Sequence, residues 1–470
     1  PADSSFTFSM AVVSASVLSG SMFPYMPRGM AKDKTDPKSA LPTNAKSGLA
    51  SRHVAYEILR SVGSGRHLDD ALRLADDQPQ RDCAFIRMLV TTVLRRRGQI
   101  DSILDQVLTK RPEGRSRDAI EILRLGVAQL LFLETGSHAA VDSTVELMRG
   151  LGFNRLTGLA NAVMRRVSRE GGELLERTSI DDNLPPWIRD SWIHAYGEER
   201  TRRTTELAMQ PPQLDITPAR DADDWARRLN GTLIDNRTVR RTFDGDPTQL
   251  DGFPVGAWWI QDAAAALPAS LFGALQGKRV IDLCAAPGGK TAQLIAAGAE
   301  VTAVDTSERR LRVLRRNLKR LGMDATCMQA DGRKFSPTEK IDAVLIDAPC
   351  SATGTLRRRP DVLMHRTPDD VTKLTETQRE LLEAASAWIK PGGCLIYATC
   401  SLQHNEGEDV IDGIVRDSRL DLTIDPVTTQ QAGCFHPALN KDGTLRVVPA
   451  DFAAMGGVDG FYIARLKKGQ

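Results

Sequence analysis

The 7 cysteines of this 470-residue chain include no C-x-x-C pair. That argues against a cysteine-built zinc site and against a disulfide framework. No apolar run approaches the length needed to cross a bilayer, so no membrane partner is expected. Excess charge is nearly missing as well. The chain has 62 Lys and Arg against 60 Asp and Glu, a formal net charge of +2. No global basic field announces a nucleic acid, and any RNA surface must be local. The start lacks the positive segment of a signal peptide: Asp3, and no Lys or Arg, precedes the mildly apolar stretch 11–19. Residues 31–46 are rich in Lys, Asp, Pro and Thr and are expected to be disordered. Met30 is a candidate alternative start, which would make residues 1–29 an artefact of start assignment. The remaining composition, 41% hydrophobic and 26% charged, fits a soluble globular protein of two or three domains. Free thiols fit a reducing cytoplasm, where a metal-free monomer is expected.

Two of those thiols sit in short signatures. Cys350 lies in Asp347-Ala348-Pro349-Cys350-Ser351, and Cys400 in Tyr397-Ala398-Thr399-Cys400-Ser401. Each follows an apolar run, 341–346 and 394–397, predicted to be a buried strand. Open α/β sheets bind ligands at such strand ends. A buried cysteine often serves only as a small hydrophobe. Here Asp and Pro precede one thiol, and Thr and Ser flank the other, which points to covalent chemistry.

A third signature, Val280-Ile281-Asp282-Leu283-Cys284-Ala285-Ala286-Pro287-Gly288-Gly289-Lys290-Thr291, has the pattern of a strand, a glycine-rich turn and a helix start. The glycines allow close approach of backbone to a ligand. The helix start offers free N–H groups to an anion. Gly289-Lys290-Thr291 matches the second half of a Walker A loop, but Cys284 stands where its first glycine belongs and Pro287 stiffens the turn. The downstream spacing fits a dinucleotide or S-adenosylmethionine (SAM) site better. A strand over 300–305 ends in Asp305, the position from which an acid takes ribose hydroxyls. A further strand, 325–329, precedes Asp331, and the strand 341–346 ends at Asp347. Between the strands 300–305 and 325–329, the helix 308–321 places Leu311, Leu314, Leu318 and Leu321 on one face. Its other face is basic, either a solvated surface or an RNA-facing stripe.

Upstream, residues 49–170 have helical periodicity throughout. The stretch 118–133 is apolar nearly all round and should be the central core helix. No carboxylate pair, His/Cys cluster or glycine-rich loop occurs in 49–170, so this is a binding or scaffold module. Arg95-Arg96-Arg97 and Arg165-Arg166 are its densest basic spots, suited to phosphates or to solvated helix ends. Leu184-Pro185-Pro186-Trp187 and Gln210-Pro211-Pro212 punctuate a connector. Its tryptophans, Trp187, Trp192 and Trp225, and the later Trp258 and Trp259, belong either in a core or against bases. After Cys350, Arg357, Arg358 and Arg359 are expected to loop over the site mouth and neutralise RNA phosphates.

The three signatures, with Ser351-Ala352-Thr353-Gly354 and Arg357-Arg358-Arg359-Pro360-Asp361, resemble the Sun-type RNA cytosine-5 methyltransferases. The Ser-Ala-Thr-Gly variant is similar to the bacterial Fmu/RsmB branch, which methylates a cytosine of small-subunit (16S) ribosomal RNA. The resemblance covers roughly residues 49–470. It implies an α/β Rossmann-like SAM-dependent methyltransferase domain preceded by an all-α NusB-like domain. The expected organisation is a disordered segment 1–48, a NusB-like RNA-binding domain 49–170, a linker with a small RNA-facing subdomain 171–262, and the methyltransferase domain 263–470. Relatives carry an Arg/Asn/Lys-type signature after the Pro-rich turn. Here the stretch is Leu214-Asp215-Ile216-Thr217-Pro218-Ala219-Arg220, so that subdomain's RNA contacts do not follow from the resemblance.

By the same resemblance, Cys284, Ala285, Ala286, Pro287, Gly288, Gly289 and Lys290 wrap the methionine part of SAM. Asp305 takes the ribose and Asp331 the adenine. Asp347 hydrogen-bonds the cytosine near the methyl donor. DNA cytosine-5 methyltransferases use a Pro-Cys thiol, which would nominate Cys350 as nucleophile. The Sun-type family uses the Thr-Cys-Ser thiol, which assigns attack to Cys400 and product release to Cys350. Rival readings are a tRNA cytosine-5 methyltransferase and a non-catalytic RNA-binding ribosome-assembly factor. A methyltransferase acting on exocyclic nitrogens would want a Pro-Pro-aromatic motif where Ala348-Pro349-Cys350 stands.

Overall fold

The computed structural model describes residues 47–133, 135–235, 237–243 and 245–470. The disorder and alternative start expected within 1–46 lie outside the described residues. Helices Ser47–Gly63, Gln80–Arg95, Arg97–Val107, Ala119–Leu131, Ser137–Gly150 and Thr157–Glu176 enclose one apolar core. The predicted central helix is Ala119–Leu131, buried at every position from 119 to 129. Its polar residues are tolerated there because they are paired. Arg124 bonds Glu121 at 2.6 Å and Asp101 at 2.7 and 2.9 Å, and Gln129 accepts from Arg52 at 2.6 Å.

Helices Pro186–Tyr196 and Glu198–Ala208 lead into a small antiparallel sheet. Its strands β1 (Leu214–Pro218), β2 (Thr232–Ile234), β3 (Thr238–Arg241) and β4 (Trp258–Ile260) run in the order β2-β3-β1-β4. Trp192, Trp225, Trp258 and Trp259 are all buried. They serve the core and offer no platform for bases.

Among the described residues, eight strands form the large sheet: β5 (Arg279–Leu283), β6 (Glu300–Asp305), β7 (Thr326–Gln329), β8 (Ile341–Asp347), β9 (Ile389–Thr399), β10 (Leu422–Ile424), β11 (Leu445–Val447) and β12 (Phe461–Lys468). The order is β10-β12-β9-β8-β5-β6-β7, with β11 beside β12. Strands β5 to β9 are parallel, and β12 returns antiparallel to β9. The strand order reverses beside β5, and such a switch point opens a crevice at the strand carboxyl ends. Pro391-Gly392-Gly393 falls within β9, and a register irregularity between Ile341 and Ala343 absorbs it. Leu311, Leu314 and Leu318 of the helix Glu308–Arg320 are buried as the periodicity predicts. No described helix is long and apolar enough to cross a membrane.

The helical module docks on the segment that follows the Pro-Cys motif. Arg95 donates to the Arg357 carbonyl at 2.7 and 3.1 Å, Leu68 N–H to Asp361 at 3.1 Å, and Arg309 pairs with Asp70 at 2.9 Å.

Candidate active site

Register brings the two thiols together. Strands β8 and β9 run side by side, with Asp347 opposite Ala398. Each thiol lies just beyond that pair, and Ala348 N–H donates to Ala398 O at 2.9 Å. Cys350 Sγ and Cys400 Sγ are 3.5 Å apart and buried. Burial, with the Cys400 sulfur beside it, pushes the Cys350 thiol well above its ordinary value, so it is neutral at physiological pH. The Gly354 N–H donates to Cys400 O at 3.0 Å. A Cβ on Gly354 would stand 2.2 Å from Gly460 O, so only glycine allows this crossing.

Beneath the thiols lies Glu406, fully buried. It accepts from Ser351 N–H at 2.8 Å, Ser401 Oγ at 2.6 Å and Gln378 Nε2 at 3.1 Å, and also from Ser351 Oγ. Burial raises its pKa against the pull of these donors. Glu406 ties the serine after Cys350 to the serine after Cys400. Sequence reasoning missed it; the one signal was an acid six positions past a buried thiol. Gln378 was also missed, and its spacing from Val371, Leu382 and Ala385 on the buried face of its helix would have marked it.

The glycine-rich turn joins β5 to the helix Gly289–Ala296. Gly288 is left-handed at φ 103°, and a Cβ there would come within 2.9 Å of Leu314. The turn lies on the helix Glu308–Arg320 for that reason. Asn317 donates to Pro287 O at 2.9 Å, and Arg310 donates to Ala286 O. Ala286 N–H donates to Asp305 at 3.3 Å, and Arg310 pairs with the same carboxylate at 3.3 Å. Burial pushes the Cys284 thiol far up, so it stays protonated.

Three buried acids meet this turn. Lys290 Nζ donates to Asp347 Oδ2 at 2.8 Å, and Thr291 Oγ1 to Asp282 Oδ2 at 2.6 Å. Asp347 Oδ1 and Asp282 Oδ1 are buried without a hydrogen-bond partner. Burial, with the Asp347 charge adding to it, pushes the Asp282 carboxyl up to about 7. An unpaired buried acceptor is costly, and a ligand carrying N–H, O–H or positive charge relieves it. Asp305 stands in the same crevice. Asp331 is more exposed, its carboxylate clamped by Arg333 at 2.7 Å.

Comparison with known proteins decides the kinship. The model of "16S rRNA methyltransferase RsmB/F" matches residues 271–467, and that of the NusB family matches 49–169. The ribosomal RNA small subunit methyltransferase B of Xanthomonas campestris pv. campestris is 35% identical over 395 residues, covering 79% of this chain and 89% of the relative. The protein of the same name from Vibrio vulnificus is 32% identical, covering 89% of this chain and 98% of the relative. This chain belongs to the RsmB/F family. The RsmB/F match contains both thiols, Glu406 and the glycine-rich turn, and the NusB match coincides with the helical module. The crystal structure of PH0851 shares the fold, with TM-score 0.70 at 20% identity over 91% of this chain and all of that one.

One expectation is corrected. Arg357, Arg358 and Arg359 do not form an open basic loop. Arg357 donates to Gly456 O at 2.9 Å and Pro211 O at 3.3 Å. Arg358 pairs with Asp262 at 2.9 Å and Asp459 at 3.3 Å, with Asp215 at 3.9 Å. Arg359 lies 3.7 Å from Asp361. Apart from Asp361, the acids come from distant segments, so the sequence around Arg357 and Arg358 gave no sign that they were already matched. Arg95 is buried too.

Proposed function

We propose that this protein forms 5-methylcytosine in small-subunit ribosomal RNA, using SAM as methyl donor and a cysteine–C6 adduct. The observation that carries the reading is the pair of buried thiols, 3.5 Å apart, beside a glycine-rich turn and an unpaired Asp347 oxygen. The crevice suits SAM. The free oxygens of Asp282 and Asp347 are acceptors for a positively charged, donor-rich ligand, and the Gly288 turn leaves room for close approach. Cys284 through Lys290 would hold its methionine part, with Asp305 toward the ribose and Asp331 toward the adenine. When bound, SAM supplies an electrophilic methyl group.

Cytosine C5 is a poor nucleophile until C6 is attacked. The Cys400 thiolate forms a bond to C6, and the C5–C6 π electrons shift so that C5 gains enamine character. Asp347, held by Lys290, would accept a hydrogen bond from the ring edge and so orient the cytosine for attack. After C5 is methylated, a base removes the C5 proton. The C–H electrons restore the C5–C6 double bond and expel Cys400 as thiolate. The neutral Cys350 thiol, 3.5 Å away, would donate a hydrogen bond to that leaving thiolate and so favour its departure. The target base has to leave its stack to reach these groups.

The test is transfer of labelled methyl from SAM to 16S rRNA, with 5-methylcytosine mapped in ribosomal and transfer RNA. Label in 16S rRNA that depends on Cys400 supports the reading. Label confined to tRNA, or label that persists in Cys400→Ala, contradicts it.

A further inference from the structure

One cluster of titratable groups takes no part in that chemistry. His67 precedes the short helix Leu68–Ala71 of the helical module. Asp361 immediately precedes the helix Val362–His365, which ends in His365, within the segment after the Pro-Cys motif. His67 Nδ1 and His365 Nδ1 each lie 3.8 Å from Asp361 Oδ2. One ligand atom from each of the three residues falls within 4.8 Å of the others.

The hydrogen bonding fixes how these atoms present themselves. His365 Nε2 is 2.9 Å from Val62 O. A carbonyl only accepts, so Nε2 carries the proton and the neutral ring keeps its lone pair at Nδ1. That Nδ1 is buried and has no hydrogen-bond partner. Leu68 N–H donates to Asp361 Oδ2 at 3.1 Å, and Arg359 lies 3.7 Å from the same oxygen. Asp361 Oδ1 has no hydrogen-bond partner, on a side chain only 1% exposed. The unpartnered His365 Nδ1 thus faces the buried Asp361 carboxylate, beside a second imidazole.

We propose that His67, Asp361 and His365 bind a divalent transition metal of the zinc class, clamping the helical module onto the segment behind the Pro-Cys motif. Two imidazoles and a carboxylate are a recurring zinc donor set, leaving a fourth position for water. Bond lengths of about 2.0–2.1 Å put tetrahedral ligands roughly 3.4 Å apart, so binding draws in two His–Asp edges of 3.8 Å and a set of atoms lying within 4.8 Å of one another. The Val62 carbonyl is the outer partner that orients a metal-bound imidazole. The metal-free expectation rested on cysteine spacing. Histidines from opposite ends of the fold leave no such spacing to find.

The test uses the full-length chain, stripped with a chelator and titrated with zinc alone by calorimetry, together with thermal melting. The parent should bind one zinc per chain and melt at a higher temperature with it. His67→Ala and His365→Ala should each weaken binding at least about tenfold, and the double variant should lose it with an unchanged circular dichroism spectrum. If the alanine variants fail to fold, His365→Gln, which keeps a donor for Val62 O, should show the same loss. Cys350→Ala/Cys400→Ala should bind zinc like the parent. No zinc bound by the parent, full binding by the histidine double variant, or loss of binding only in the cysteine double variant would each overturn the proposal.

Discussion

The carboxylates around Arg358 and those at the strand ends are equally buried but differently satisfied. Asp215, Asp262 and Asp459 surround Arg358, and Asp215 is also held by Arg240 in two bonds of 2.6 Å. Arg240 in turn donates to Met455 O and Gly457 O, tying the small sheet to the large one. In this hub each acid faces a guanidinium. At the crevice, Lys290 and Thr291 serve one oxygen each of Asp347 and Asp282, and the other oxygens remain acceptors. A buried charge cluster that closes on itself is architecture. One with acceptors left over is prepared for a ligand. Variants in the two regions should therefore fail differently, one set in stability and the other in turnover.

The largest expected effect is at the crevice. Cys400→Ala should lower methyl transfer at least about a thousandfold and change the unfolding free energy by less than about 1 kcal/mol. Labelled-methyl incorporation and urea unfolding measure the two sides. Comparable losses in both would erase the distinction between the regions. The converse is Arg358→Ala, which strands buried carboxylates and should destabilise by about 3–5 kcal/mol. A urea midpoint unchanged from the parent would show that the hub is not structural.

How much of this was legible follows the same division. Cys350, Cys400 and the glycine-rich turn were readable because their chemistry is local: each signature sits at the end of its own apolar strand. The parallel sheet and the basic helix with a leucine face were readable for the same reason, since periodicity is a short-range signal. Arg357–Arg359 misled because their partners, Asp361 excepted, lie roughly a hundred or more positions upstream or downstream. Glu406 and the Lys290–Asp347 pair were missed because a buried charge looks like a surface charge until the fold surrounds it. His67 and His365 meet only through docking of the helical module.

Smaller effects sharpen the comparison. Ser401→Ala removes a donor from Glu406 and should cost about 1.5–3 kcal/mol, the range for a hydrogen bond to a charged group. Equilibrium unfolding checks it, and a neutral result would mean that Glu406 is protonated and indifferent to its donors. Within the hub, burial, with Asp262 beside it, pushes the Asp459 carboxyl up to about 7. The folded protein therefore holds this proton more tightly than the unfolded chain, where an Asp titrates near about 3.9. Its contribution to stability is present in full below about pH 4 and is lost as pH rises to about 7. Asp459→Asn mimics the protonated form and should flatten that part of the stability profile, with little change near pH 4. Urea midpoints against pH for parent and variant would show it; parallel curves would contradict it.

The most direct measurement is of the covalent species itself. Each single-thiol variant is incubated with 16S rRNA and SAM, and the product is run on a denaturing gel. Cys350→Ala should accumulate a protein–RNA adduct, because it attacks C6 normally and releases slowly, whereas Cys400→Ala should form none. An adduct with Cys400→Ala and none with Cys350→Ala would contradict the assignment of the two thiols.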